Sequence, residues 1–111
     1  MKFPTALGSL AARCVGALLV AVAAASARAE VVRVKIAGLG FSPAQVSAHV
    51  GDTIEWVSTD FLAHTATAHN GAWDVAIPPN SRKSVVLKTQ GTIDYYCKFH
   101  PNMTGRISVA K

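Results

Sequence analysis

The sequence predicts an all-β fold, a small antiparallel Greek-key β-sandwich of seven to eight strands, and three observations predict it. Short runs rich in Val, Ile and Thr alternate apolar with polar residues, turn residues separate them at close intervals, and no stretch beyond residue 29 carries a helical period. Runs of that length cannot bury a core singly. Two small sheets packed face to face can, and their loops then meet at the two ends of the sandwich.

The first 29 residues stand apart from this pattern. Lys2 gives a positive start, Cys14 to Ser26 is a run of small and aliphatic residues, and Ala27-Arg28-Ala29 offers an Ala-x-Ala cleavage signal before Glu30. Arg13 interrupts the apolar stretch, and 13 residues from Cys14 to Ser26 are fewer than a membrane span requires. Residues 1–29 therefore read as a secretory signal peptide cleaved after Ala29, and 30–111 as one exported, periplasmic domain without stable membrane insertion. Arg13 directly before Cys14 is wrong for a lipoprotein signal.

Val31 to Ala37 alternates Val32, Val34 and Ile36 with Arg33 and Lys35, as a half-buried strand does. Gly38 to Pro43 breaks it. Gln45 to Val50 and Thr53 to Ser58 are further strands, the second with Ile54 and Trp56 on one face, and the tight Gly51-Asp52 turn between them predicts a hairpin. After the irregular link Thr59 to Ala63, a short strand runs from His64 to Ala68. Asn70-Gly71 is the strongest turn signal in the chain. A strand from Trp73 to Ile77 stops at Pro78-Pro79-Asn80, another begins near Arg82 and includes Ser84 to Leu87, and Thr92 to Lys98 and Arg106 to Ala110 complete the set. Trp56 and Trp73 read as packing residues.

Removing the leader lowers the formal net charge from +5 to +2, with eight Lys and Arg against six Asp and Glu. No stretch clusters basic and aromatic residues, which argues against nucleic-acid binding. One cysteine remains. In an oxidising compartment it has no internal disulfide partner, so Cys97 is a ligand, a reactive thiol or a buried spectator.

Between the last two strands lies Cys97-x2-His100-x2-Met103. Thiolate and thioether select Cu(I), imidazole suits both copper states, and a trigonal His2Cys set with a weak axial Met is the ligand set of a blue-copper electron-transfer site. A second His must come from upstream. His49 lies within a strand and reads as half-exposed, whereas His64 opens a strand just after an irregular loop, where a side chain can be aimed at the end of the sandwich. His69 is five residues from His64, an odd offset that faces the opposite way on a regular strand; beside Asn70-Gly71 it reads as an exposed turn residue.

Phe41-x-Pro43, Gly51-Asp52-Thr53-Ile54-x-Trp56, Asp60, His64-Thr65 and Gly91 to Tyr95 leading into Cys97-x2-His100-x2-Met103-x-Gly105 together resemble the cupredoxins of the plastocyanin, pseudoazurin and amicyanin group. The resemblance spans nearly all of Val31 to Val109, and the short His-Pro-x-Met loop is amicyanin-like. It implies one copper ion, cycling between Cu(II) and Cu(I), held by His64, Cys97, His100 and Met103, with no catalytic residue and no enzyme activity. It further implies that His100 shows a ring edge through an apolar patch, for which Phe99, Pro101, Leu62 and Pro43 are the candidates, and that this ring can leave reduced copper and take a proton. Redox proteins would dock there transiently, for example a dehydrogenase, a cytochrome c or a copper reductase, but the resemblance does not carry over which; a single small sandwich of this kind reads as a monomer. Tyr96 resembles the Tyr of a second docking surface in plastocyanins, and Lys98 and Lys88 are candidate contacts for an acidic partner. The family often has Asn after the upstream ligand, where it ties the ligand loops together; here Thr65 offers a backbone N–H for the thiolate and a hydroxyl for that tie.

The competing function is an exported copper carrier or scavenger that delivers metal rather than electrons. Carriers commonly present open Met-rich or His-rich motifs, and the domain has a single Met. A zinc site fits poorly, because a thioether is a poor zinc ligand and only one Cys is present. A cysteine hydrolase built on Cys97 and His64 would lack a second half to form a cleft.

Overall fold

The computed structural model describes residues 28–111, so the leader assigned above lies outside the described residues except for Arg28 and Ala29. Among the described residues there is no helix, and nine strands follow one another: β1 Val31–Ala37, β2 Gly40–Ser42, β3 Gln45–His49, β4 Thr53–Ser58, β5 His64–Ala68, β6 Asp74–Ile77, β7 Arg82–Val86, β8 Gly91–Tyr96 and β9 Thr104–Ala110. They form a four-stranded sheet in the order β2-β1-β4-β7 and a five-stranded sheet in the order β3-β9-β8-β5-β6.

Alternation places the core between them. In β1 Val34 and Ile36 are buried while Arg33 and Lys35 are exposed, and in β4 Ile54, Trp56 and Ser58 point inward. From the opposite sheet Ile93 and Tyr95 of β8 and Ile107 and Val109 of β9 meet them. Trp56 stands edge-on to Tyr95 with ring centroids 5.6 Å apart, and its Nε1–H donates to the Tyr95 hydroxyl at 3.2 Å. Burial holds the Tyr95 hydroxyl protonated, its pKa pushed up to about 12 despite that bond from Trp56. Gly105 lies opposite Tyr95 on β9, and a Cβ there would run into the Tyr95 ring, so only glycine lets the ring lie across the strand.

Three differences from the sequence reading have physical causes. The Gly38 to Pro43 break contains a short strand, β2, which folds back antiparallel on β1 with Lys35 opposite Ser42; this brings the count to nine. The sheets are mixed rather than purely antiparallel: β1 pairs in parallel with β4, and β3 with β9. Parallel neighbours need a long crossover, and the segment through β2 and β3 supplies it between β1 and β4. Finally, Gly51-Asp52 does not make a hairpin. The turn forms, with Gly51 at φ 98 and the Asp52 N–H donating to the His49 carbonyl, but β3 and β4 go to different sheets. Distant partners take up their backbone groups: β9 for β3, and β1 and β7 for β4. A turn fixes where the chain reverses, not which strands will satisfy its hydrogen bonds.

Candidate metal centre

At one end of the sandwich β4 leads into an irregular link and β8 into the loop before β9. The link is shaped by Asp60. Its Oδ1 accepts the Leu62 N–H at 2.9 Å, a local turn that side chains of this type favour. Its carboxylate also accepts from His64 Nε2, at 3.1 and 3.0 Å. With Nε2–H donating there, the His64 tautomer leaves a lone pair on Nδ1. That nitrogen lies 3.9 Å from Cys97 Sγ.

The second loop braces itself. Cys97 N–H donates to the Met103 carbonyl, His100 N–H to the Cys97 carbonyl and Met103 N–H to the His100 carbonyl, at 3.0, 3.2 and 2.8 Å. These bonds close two tight turns and bring His100 Nδ1 to 3.7 Å from Cys97 Sγ. The donor atoms of His64, Cys97 and His100 all lie within 4.8 Å of one another. Such separations suit donors that share one transition-metal ion at roughly 2.0–2.3 Å each.

The surroundings favour a thiolate. Burial alone would push the Cys97 thiol up, but the Thr65 N–H, the two imidazoles and the Phe99 backbone outweigh it and bring its pKa down to about 6. Thr65 N–H points at Sγ from 3.3 Å. For His64, burial opposes the imidazolium, but Asp60 and then Cys97 outweigh it and raise the pKa above the ordinary histidine value. The hydrogen bond from His64 in turn holds the Asp60 carboxyl below its usual range.

The four residues singled out in the sequence gather at these two loops: His64 opens β5 directly after the link, and Cys97, His100 and Met103 lie in the loop between β8 and β9. His64, Cys97 and Met103 are buried and His100 is half-buried. His49 and His69 do not join them: His49 is exposed on β3, and His69 is exposed in the turn after β5, its ring stacked on Tyr96 with centroids 4.5 Å apart. Thr65 makes the tie expected of it, since its Oγ1 accepts the Lys98 N–H at 2.9 Å. The role of Asp60 in aiming His64 went unread. An Asp that opens an irregular link is a local turn signal, and four residues later stands a ligand candidate; that combination is the trace it left. Lys98 is also less available to a partner than expected, because its Nζ is paired with Asp74 at 2.8 Å.

The chain matches the family model described as a cupredoxin-like domain over residues 10–109. It belongs to the cupredoxin-like family. Among curated relatives, this cupredoxin is 31% identical to amicyanin-alpha of Methylorubrum extorquens, covering 98% of this chain and 97% of that protein. It is 29% identical to amicyanin of Paracoccus denitrificans over 78% of this chain and 71% of that one. Among solved structures, amicyanin from Paracoccus versutus superposes with a TM-score of 0.62 at 25% identity, covering 78% of this chain and 86% of that one. A reduced Cu(I) form of an amicyanin variant at pH 4 gives a TM-score of 0.65, again at 25% identity, over 78% of this chain and 87% of that one. The cupredoxin falls in the amicyanin group, whose members carry electrons and are not enzymes.

The residues fit a copper ion on their own chemistry. One buried thiol poised to ionise and two imidazole nitrogens, with a thioether three residues beyond the second, form a soft and borderline donor set that suits copper better than a hard cation. Copper is accordingly this cupredoxin's cofactor, and the His64, Cys97 and His100 group is a site able to hold one ion.

Proposed function

We propose that the protein is a soluble periplasmic type 1 copper protein that passes single electrons between redox partners, and that His64, Cys97, His100 and Met103 would hold the metal. The observation that carries this reading is the buried Cys97 sulfur, with an imidazole nitrogen of a different loop on each side at 3.9 and 3.7 Å. Bound there, copper would supply a one-electron couple. The protein's part is to keep the donors in place in both oxidation states: Asp60 fixes the His64 ring, Thr65 N–H stabilises charge on Cys97, and the loop's own backbone bonds hold His100 and Met103. Burial of His64, Cys97 and Met103 excludes water from that side.

His100 is the half-buried member, which makes its ring edge the proposed port for electrons. The loops at this end expose Phe61, Leu62, Phe99 and Pro101, an apolar surface suited to brief docking by a dehydrogenase, a cytochrome c or a copper reductase; Pro43, also exposed, lies between β2 and β3 and in neither loop. Cleavage after Ala29 and export belong to the same proposal. One relative, amicyanin-alpha, aligns over 98% of this chain, the leader included, which supports it.

The test is a visible spectrum of the 30–111 protein with one equivalent of Cu(II), before and after ascorbate. An intense band that bleaches on reduction and returns on oxidation is expected. A pale protein that hands its metal to a chelating acceptor within one redox cycle would overturn the reading in favour of copper delivery.

A further inference from the structure

A closed ring of hydrogen bonds runs from the ligand loop across β5 to β6 and back. Lys98 N–H donates to Thr65 Oγ1 at 2.9 Å, Thr65 Oγ1 is 2.9 Å from Thr67 Oγ1, Thr67 Oγ1 donates to Asp74 Oδ1 at 2.8 Å, and Lys98 Nζ donates to Asp74 Oδ2 at 2.8 Å. Each hydroxyl has one proton. The Asp74 carboxylate can only accept, so Thr67 spends its proton there and must itself accept from Thr65. Thr65 Oγ1 is thereby left to accept the Lys98 N–H, and every bond in the chain points toward the carboxylate.

Direction has an energetic consequence. A donor chain that ends on a charge polarises each hydroxyl along it, which makes Thr65 Oγ1 a stronger acceptor than an isolated hydroxyl. The Lys98 N–H belongs to the peptide that follows Cys97. Thr65 therefore grips Cys97 twice, its N–H on the sulfur and its Oγ1 on the next peptide. We propose that Asp74, on β6, is a positioning residue for Cys97, acting through the Thr67 and Thr65 hydroxyls to lock the peptide after the thiolate. The inference rests on the reading of Cys97 as a copper ligand. The Asp74–Lys98 ion pair is the lesser part of the device, since both side chains are about half exposed and such pairs contribute little.

Amide hydrogen exchange in the copper-free 30–111 protein tests the ring directly, with Lys98 compared against Val34 and Ile107 in the core. Asp74→Ala and Thr67→Val should each speed exchange at Lys98 by roughly three- to tenfold, the worth of one hydrogen bond, and leave the two core amides unchanged. Thr67→Ser should restore the slow rate, and Lys98→Met should alter it by less than about twofold. In the copper-loaded protein the first two variants should also change the relative intensities of the thiolate charge-transfer bands. Unchanged exchange at Lys98, equal acceleration at all three amides, or an effect of Lys98→Met as large as that of Asp74→Ala would each overturn the proposal. A colourless wild type would instead overturn the ligand reading, so the two failures are distinguishable.

Discussion

Strand β4 has an aspartate beyond each end, and the two do different work. Asp52, before its first residue, accepts two backbone N–H groups, from Glu30 at 2.9 Å and His49 at 2.8 Å, and so ties the chain's entry into β1 to the turn after β3. Asp60, beyond its last residue, accepts one backbone N–H and the His64 imidazole. Both carboxyls are held below their usual range, the first by backbone donors and the second mainly by the imidazole. One chemical group thus serves as a staple or as a sight for a metal ligand, according to whether its donors are main chain or a side chain. The lesson is that a lowered carboxylate pKa does not by itself mark a functional end.

The sharpest way to test the contrast is to empty the ligand end. Cys97→Ser should abolish the intense visible band altogether, while the apo-protein keeps its far-ultraviolet circular dichroism. Loss of the fold would mean that this end also carries the architecture.

Asp60→Ala should come next, with copper affinity weakened about 10- to 100-fold, as is usual when the partner orienting a ligand imidazole is removed. Competition with a chromophoric chelator measures it. Equal damage from Asp52→Ala would erase the distinction between the two ends; the expectation is that Asp52→Ala lowers the denaturant midpoint and leaves the spectrum alone.

Gly105→Ala probes the middle of the sandwich, where a Cβ would collide with the Tyr95 ring. Overpacking of this kind costs roughly 1–3 kcal/mol. Urea unfolding followed by Trp fluorescence would show it, with the copper band retained at low denaturant.

The pH dependence separates the two ends in another way, since they respond in different windows. Folding lowers the Asp52 pKa, so its contribution is present above the unfolded carboxylate value near 3.8 and is lost as pH falls through the lower folded value. Cys97 in the copper-free protein titrates at about 6 against an ordinary 9.0, so its contribution is complete above the unfolded value and fades as pH falls through about 6. The thiol's share of apo-protein stability should rise between those two values, against an opposing loss from His64, whose raised pKa gives up its contribution as pH climbs through it. Cys97→Ser should flatten that rise, and Asp52→Asn should flatten only the acid limb.

How much of this was legible beforehand differs by element. The limits of β1 and β5 follow from alternation in Val31 to Ala37 and from the link before His64. The ligand candidates are legible because Cys, His and Met at three-residue spacing fit within one loop, so their proximity is guaranteed by covalent connection. The failed hairpin at Gly51-Asp52 shows the converse. Its turn chemistry is local and formed as expected, whereas its strand partners lie up to 61 positions away, as with His49 opposite Ala110.

By itself the sequence determined the strand segments, their inward faces, the loop that presents Cys97, His100 and Met103, and membership in a cupredoxin pattern. These depend on periodicity and short-range spacing. Only the tertiary structure decided that β3 and β4 lie in opposite sheets, that Asp60 aims His64, and that Asp74 closes a ring through Thr67, Thr65 and Lys98. Each of those contacts joins groups whose meeting is set by sheet order and side-chain direction, and no one-dimensional pattern encodes which distant donor a carboxylate will find.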